Sequence, residues 1–233
     1  MGRLVKAIPS PAAPTFSTDN FQRACDHVAA RDKDLKAILQ TYDYPPMWTR
    51  PNTFESLIHI ILEQQVSLAS ALAALNKLRD RLGKITPASL LALTDEELKA
   101  CYFSRQKTVY ARHLAEAIES KQFNLKTLEN LSDDVVREKI VALKGLGNWS
   151  ADIYLMFVLQ RADLFPPGDL AAVNALKAIK KLPKDVSKEK LATITARWAP
   201  YRTVATMILW HYYLSIRTNK TSAKEKIEKA IVM

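Results

Sequence analysis

The sequence predicts an all-α fold, and three observations carry the prediction. Capping residues recur from Thr18 to Arg217 just ahead of segments whose apolar side chains fall three and four positions apart. Strand-like alternation bounded by turn residues is missing. The stretches that join the helical segments are short, as in packed helical proteins, and leave room for about ten helices.

The elements follow in chain order. Residues 1–17 hold Pro9, Pro11 and Pro14 and few large apolar groups, so they are expected to be mobile. Thr53 opens "TFESLIHIILEQQVSLASALAALNKLRDRLG", a long helical run in which Phe54, Leu57, Ile58, Ile61 and Leu62 share a face and Gly83 offers a C-cap. Thr86 followed by Pro87, and Thr94 with Glu97 as a capping box, start two more helices. Ser132 before "DDVVREKIVAL" starts another, and residues 132–143 and 149–160 read as two helices joined by "KGLGN". Asp169 precedes "LAAVNALKAIKK" and Ser187 precedes "KEKLATITARW". Residues 219–233 form a basic tail with Lys220, Lys224, Lys226 and Lys229, also expected to be mobile. Between the ends, residues 18–218 are expected to form the core, as two helical lobes with a cleft between them.

Charge narrows the partner. Lys and Arg outnumber Asp and Glu by 34 to 24, a formal net charge of +10, so the surface attracts polyanions or acidic membranes, and nucleic acid comes first among them. No apolar run approaches the roughly 20 residues of a spanning helix. Residues 1–16 lack the apolar core of a secretion signal, and the expectation is an intracellular protein with no membrane role. Cys25 and Cys101 are solitary and cannot supply a four-thiolate cluster, and they read as buried free thiols. His27, His59, His113 and His211 show no metal-ligand spacing.

The hairpin "LKGLGNWSADIYL" uses two of the chain's five glycines one residue apart. A connection this tight needs residues that tolerate positive φ, which Gly145 and Gly147 supply. Missing side chains also allow close approach, and amides at the start of the second helix point outward towards any phosphate. From these residues alone, a DNA-gripping hairpin and a packing hairpin both remain open.

The wider pattern is more specific. "LKGLGNWSADIYLMFVLQRADLFPPGD" resembles the hairpin, Gly/Pro-rich loop and aspartate of the helix-hairpin-helix DNA glycosylase superfamily. "FESLIHIILEQQVSLASA" is similar to its Gln-containing helix, "FSRQKTVYARHLAEAI" to its S-x-x-K-x-x-Y segment, and "RWAPYRTVATMILWHYY" to the C-terminal helix of its 3-methyladenine (alkylbase) branch. The resemblance covers roughly Thr53 to Tyr213 with all four segments in order. Bifunctional members carry a Schiff-base lysine where this chain has Trp149, so the resemblance implies no lyase step. Iron–sulfur relatives need four cysteines that are absent here.

Roles follow residue by residue as the resemblance implies them. Asp169, by itself an N-cap, becomes the catalytic aspartate. Breaking a glycosidic bond builds positive charge on the sugar, which a fixed carboxylate stabilises. A purine made cationic by alkylation leaves without a second carboxylic acid to protonate it. Trp149 and Trp210, each a core tryptophan when viewed alone, become base-pocket residues whose indole faces favour a cationic base by roughly 0.5–2 kcal/mol per ring. Tyr154 and Trp48 join them. Ile153 stands where a relative has a pocket tyrosine, implying a cage that is more open or differently closed. Gln64 lies near the pocket, and Gln65 at the wedge that fills the space left by an extruded nucleotide. Ser104 and Lys107 contact phosphate or cap their helix. Lys144, Gly145, Gly147 and Ser150 belong to the DNA-binding face, and the carbonyls of Val141, Leu143 and Leu146 offer a site for sodium or potassium. Tyr102 occupies a position before Ser104 where many relatives have glycine.

The resulting expectation is a monomeric, monofunctional glycosylase for alkylated purines in double-stranded DNA, with no required cofactor. A non-enzymatic DNA-binding hairpin protein and a glycosylase for deaminated or oxidised bases are the rival readings.

Overall fold

The computed structural model describes residues 14–231, and side chains as far as residue 217. Thirteen α-helices lie among the described residues: α1 (Phe21–Arg31), α2 (Lys33–Tyr42), α3 (Phe54–Glu63), α4 (Leu68–Leu82), α5 (Pro87–Leu91), α6 (Asp95–Ala100), α7 (Arg105–Glu119), α8 (Leu125–Leu128), α9 (Asp133–Val141), α10 (Asn148–Ile153), α11 (Leu170–Lys180), α12 (Lys188–Thr195) and α13 (Arg202–Ile231). A π turn, Tyr154–Val158, extends α10, and a 3₁₀ turn, Ala196–Trp198, extends α12. The β-pairing among these residues is limited to one isolated bridge, between Thr15 and Arg161. None of the helices is long and apolar enough to cross a membrane.

Local chemistry sets most helix starts. Thr53 Oγ1 accepts the Ser56 N–H, Thr86 and Thr94 form complete capping boxes with Ser89 and Glu97, and Ser187 caps α12 through the Lys190 N–H. Ser132 occupies the N-cap of α9, but its side chain makes no capping bond. Gly83 ends α4 at φ 68°, as a C-cap glycine should. The long run after Thr53 differs from expectation because it is two helices. Gln64 leaves helical geometry, Gln65 takes φ 57°, and Ser67 caps a new helix through the Ser70 N–H.

The chain forms two compact units. Among the described residues one is contiguous, Thr49–Leu159, and its core is α3 packed on α4, α7 and α10, with α5 and α6 against α7 and α9 against α10. Leu57, Ile58, Ile60, Ile61, Leu75, Leu78 and Leu114 are essentially inaccessible there. Glu63, near the end of α3, is buried and paired with both guanidinium nitrogens of Arg50 at 2.5 and 2.9 Å. Arg50 N–H also donates to the carbonyl of Phe157 at 2.8 Å, holding the two ends of this unit together.

The other unit is discontinuous, Pro14–Trp48 with Gln160 onward. Here α13 packs against α1, α2 and α11. Residues 14–17, expected within a mobile segment, are tied down: Phe16 N–H donates to Gln160 O, Ala162 N–H donates to Pro14 O, and the Phe16 ring is 1% exposed. The cause is an apolar side chain with a core to fill and a backbone edge with partners to bond. Residues 1–13 lie outside the described residues. At the other end the backbone of α13 continues through Ile231, over most of the stretch expected to be a mobile tail. Buried Asp32 caps α2 and also accepts from Trp198 Nε1 (2.9 Å) and Lys180 Nζ (2.5 Å), linking three elements of this unit. Cys25 and Cys101 are both buried, one in each unit.

Candidate functional site

In the discontinuous unit, Asp169 sits at the N-cap of α11 after the "FPPG" turn. Its Oδ1 accepts the Ala172 backbone N–H at 2.8 Å and the indole N–H of Trp210 at 2.9 Å. The carboxylate is therefore held from two directions, by the positive end of α11 and by an indole from α13. Asp169 keeps partial exposure, whereas Trp210 is 8% exposed. Trp48 meets Trp210 edge to face, with ring centroids 6.5 Å apart and planes at 80°. The N-cap reading of Asp169 is thus present in the structure, and the Trp210 indole shares the same oxygen.

In the contiguous unit, α9 and α10 form the hairpin. Gly145 takes φ 85°, and a Cβ there would fall 2.1 Å from Tyr110 Cγ. This glycine serves both a left-handed turn and the close approach of an aromatic ring. Gly147 differs from expectation: its φ is −105°, it forms the N-cap of α10, and a Cβ there would meet nothing within 4 Å. Positive φ is therefore not its purpose, and its exposed position leaves the start of α10 uncovered. Arg137 braces the hairpin by donating to Asn148 O and to the buried Asp152 carboxylate at 2.6 Å. The second helix is also shorter than 149–160, since it widens into the π turn, where Leu159 N–H bonds to Tyr154 O.

Several expected site residues turn out to hold this hairpin together. Gln64, expected beside the pocket, donates its side-chain amide to Gly145 O at 2.9 Å and to Ser150 Oγ at 3.1 Å. Ser150, expected on the DNA-binding face, is buried and its hydroxyl receives that bond. Tyr154 is fully buried and its phenol donates to Asn52 Oδ1 at 2.6 Å, the position of a core tyrosine. Ile153 is buried as well, while Trp149, in the first turn of α10, is partly exposed. Ser104 caps α7 through the Lys107 N–H, and Lys107 Nζ donates to Leu62 O at 2.6 Å, near the C-terminal end of α3. Burial lowers the Lys107 pKa. Ser104 thus caps its own helix as expected, whereas the Lys107 side chain bonds the end of α3 instead. Gln65 and Lys144 are exposed.

Sequence reasoning assigned no role to Tyr110 or Arg137. Tyr110 lies three residues after Lys107 in the S-x-x-K-x-x-Y segment, so helical spacing put it on the Ser104 and Lys107 face. Asp152 amid apolar residues signalled the need for a cation such as Arg137. For the carbonyl site, α9 ends at Val141, where helix geometry leaves carbonyls without intrahelical partners and suits a cation. The carbonyl of Leu143 also accepts the Leu146 N–H at 3.1 Å.

The chain is similar to several known DNA glycosylases. A DNA-3-methyladenine glycosidase structure from Bacillus halodurans is 32% identical, covers 86% of this chain and 92% of its own, and superposes with a TM-score of 0.69. A 3-methyladenine DNA glycosylase structure from fission yeast, in complex with abasic DNA, is 28% identical over 81% of this chain and 95% of its own, with a TM-score of 0.74. The Saccharomyces cerevisiae DNA-3-methyladenine glycosylase is 25% identical over 92% of this chain and 86% of its own. The sequence pattern of the HhH-GPD family matches residues 58–200, more than half of the chain, and so the protein belongs to the HhH-GPD superfamily of base excision DNA repair proteins.

Proposed function

We propose that this protein is a monofunctional DNA glycosylase that extrudes alkylated purines of the 3-methyladenine and 7-methylguanine type from double-stranded DNA and hydrolyses their N-glycosidic bond. The observation that carries the reading is the Asp169 carboxylate, held by the Ala172 and Trp210 N–H groups in a chain whose relatives bear the name DNA-3-methyladenine glycosylase. As the bond to the base breaks, positive charge grows on the sugar. A carboxylate already fixed in place stabilises that charge without first having to reorganise. Asp169 also orients the attacking water. The cationic base needs no proton from the protein, so one acid group suffices.

Trp210 and Trp48, whose rings meet edge to face, supply aromatic faces for an electron-poor base, and Trp149 is the tryptophan of the hairpin. Gln65 fills the space that the extruded nucleotide leaves. Gly145, Gly147 and Lys144 bring the hairpin to the phosphate backbone, where contacts position the protein without reading sequence. A sodium or potassium ion would be held by the carbonyls of Val141, Leu143 and Leu146 and would supply positive charge beside phosphate; no step of the reaction depends on it. The enzyme acts as a monomer on DNA inside the cell.

Two experiments test this reading. Incubation with methylated duplex DNA is expected to release free 3-methyladenine and 7-methylguanine and to leave abasic strands intact until alkali is added. Borohydride should trap no covalent complex, because Trp149 has no amine to form a Schiff base. DNA binding without any base release would leave only a binding protein, and release confined to deaminated or oxidised bases would move the substrate class. The hairpin is tested by Gly147→Leu. With open space at this position, its melting temperature should match the wild type, while affinity for every duplex falls about tenfold through lost amide–phosphate contacts. A variant that melts and binds normally would remove the hairpin from the DNA interface.

A further inference from the structure

Tyr102 stands where the resemblance leads one to expect glycine, and the backbone explains why glycine is usual there. α6 closes with two crossed bonds: Phe103 N–H donates to Leu98 O at 3.1 Å, and Tyr102 N–H donates to Lys99 O at 2.9 Å. In this C-terminal motif the residue at the crossing must turn left-handed, and Phe103 and Leu98, at the positions where an apolar contact commonly accompanies it, are both buried. Tyr102 accordingly has φ 65°. A bulky L-residue adopts that conformation only at a steric cost. Burial does not offset the cost, because Tyr102 is 62% exposed. Of the six non-glycine residues with positive φ among the described ones, Tyr102 is the aromatic one. Strain kept at an exposed ring is the pattern of a residue retained for contact with a ligand.

The surroundings indicate which ligand. Tyr102 and Val66 line one surface groove of about 290 Å³, together with Leu62 and Lys107. Val66 follows Gln65, the other exposed residue of this unit whose backbone is left-handed next to that groove. Lys77 Nζ lies 5.9 Å from the centroid of the Tyr102 ring. An exposed ring, a flanking cation and an apolar groove are the components with which proteins hold nucleobases, the ring stacking on a base and the cation meeting phosphate.

We propose that Tyr102 is a stacking residue for duplex DNA, laying its ring against a base next to the position that Gln65 fills, with Lys77 directed to the adjoining phosphate. This rests on the DNA glycosylase reading above. Every base has a π face, so the contact tolerates any sequence. It governs how firmly the enzyme holds a site once found, and leaves the choice of base to the pocket.

The test compares Tyr102→Gly, Tyr102→Asn and Tyr102→Phe with wild type, measuring thermal melting and affinity for a duplex carrying an abasic-site analogue. Glycine and asparagine both accept the left-handed turn. Tyr102→Gly should therefore melt at or above the wild-type temperature and yet bind about tenfold more weakly. Tyr102→Asn should show the same loss of affinity, and Tyr102→Phe, which keeps the ring, should bind like wild type. Unchanged affinity in the glycine and asparagine variants would overturn the proposal. So would a loss of affinity in Tyr102→Phe equal to theirs, or a loss that merely tracks the unfolded fraction. Failure of the wild type itself to bind the duplex or to release methylated bases would instead sink the glycosylase reading, an outcome distinct from equal binding by wild type and variants.

Discussion

Asp169→Asn is expected to slow base release at least about 100-fold, the scale of removing a preorganised electrostatic contact to a charge that develops in the transition state. Asparagine retains an Oδ1 acceptor for both the Ala172 N–H and the Trp210 indole N–H, so the α11 cap and the α13 contact survive. What disappears is the negative charge. DNA affinity should hold or rise slightly, since a carboxylate near the phosphate backbone repels it. Single-turnover release from methylated duplex, read beside anisotropy binding on the same preparation, separates the two effects. Full release by the variant would remove Asp169 from the mechanism.

Gly145→Ala is expected to be the most damaging small substitution in the hairpin. The added Cβ would lie 2.1 Å from Tyr110 Cγ and 2.3 Å from both Cδ atoms, and the backbone there is left-handed. The inner edge of the ring cannot swing away as a flexible chain end could. Overpacking of this kind costs about 1–3 kcal/mol, and the left-handed backbone adds about 1 kcal/mol for a residue with a Cβ. For a protein of this size the sum corresponds to a fall of about 10 °C in melting temperature. The same change at Gly147, which faces open space, should shift melting very little. Pairing Gly145→Ala with Tyr110→Ala should remove the clash but keep the left-handed penalty. A single variant that melts with wild type would show that Tyr110 does not pack as described.

What the sequence made legible was chemistry that acts over three or four residues. The caps at Thr53, Thr86, Thr94 and Ser187, the C-cap at Gly83 and the helix start at Asp169 are all found where the sequence puts them. The break between α3 and α4 was also written locally, in Ser67 ahead of Ser70. The apolar periodicity on either side concealed it. Contacts between distant residues could not be read. Gln64 as a hairpin brace, Tyr110 beneath Gly145, Trp210 on Asp169 and Phe16 in the core each join residues separated by dozens of positions. The residue types signalled that partners were needed without saying which, and so Gln64, Ser150 and Tyr154 were expected to face a ligand when they face their own protein.

The discontinuity of the second unit has a consequence for biosynthesis. As the chain leaves the ribosome, α1 and α2 emerge before the other described helices, carrying Val28, Leu35 and Ile38, which are buried in the finished protein. The elements that pack on them, the Ala196–Trp198 turn and α13, emerge only after the whole of Thr49–Leu159. The described residues of the inserted unit follow one another without interruption, so they can condense while translation continues, and the Arg50–Phe157 bond brings the two ends of that stretch side by side. Early residues wait for late ones across more than a hundred positions, which makes closing the first-born helices onto α13 the step of high contact order. A nascent chain stalled before α13 would expose the apolar faces of α1 and α2, and these are the surfaces on which a chaperone would act.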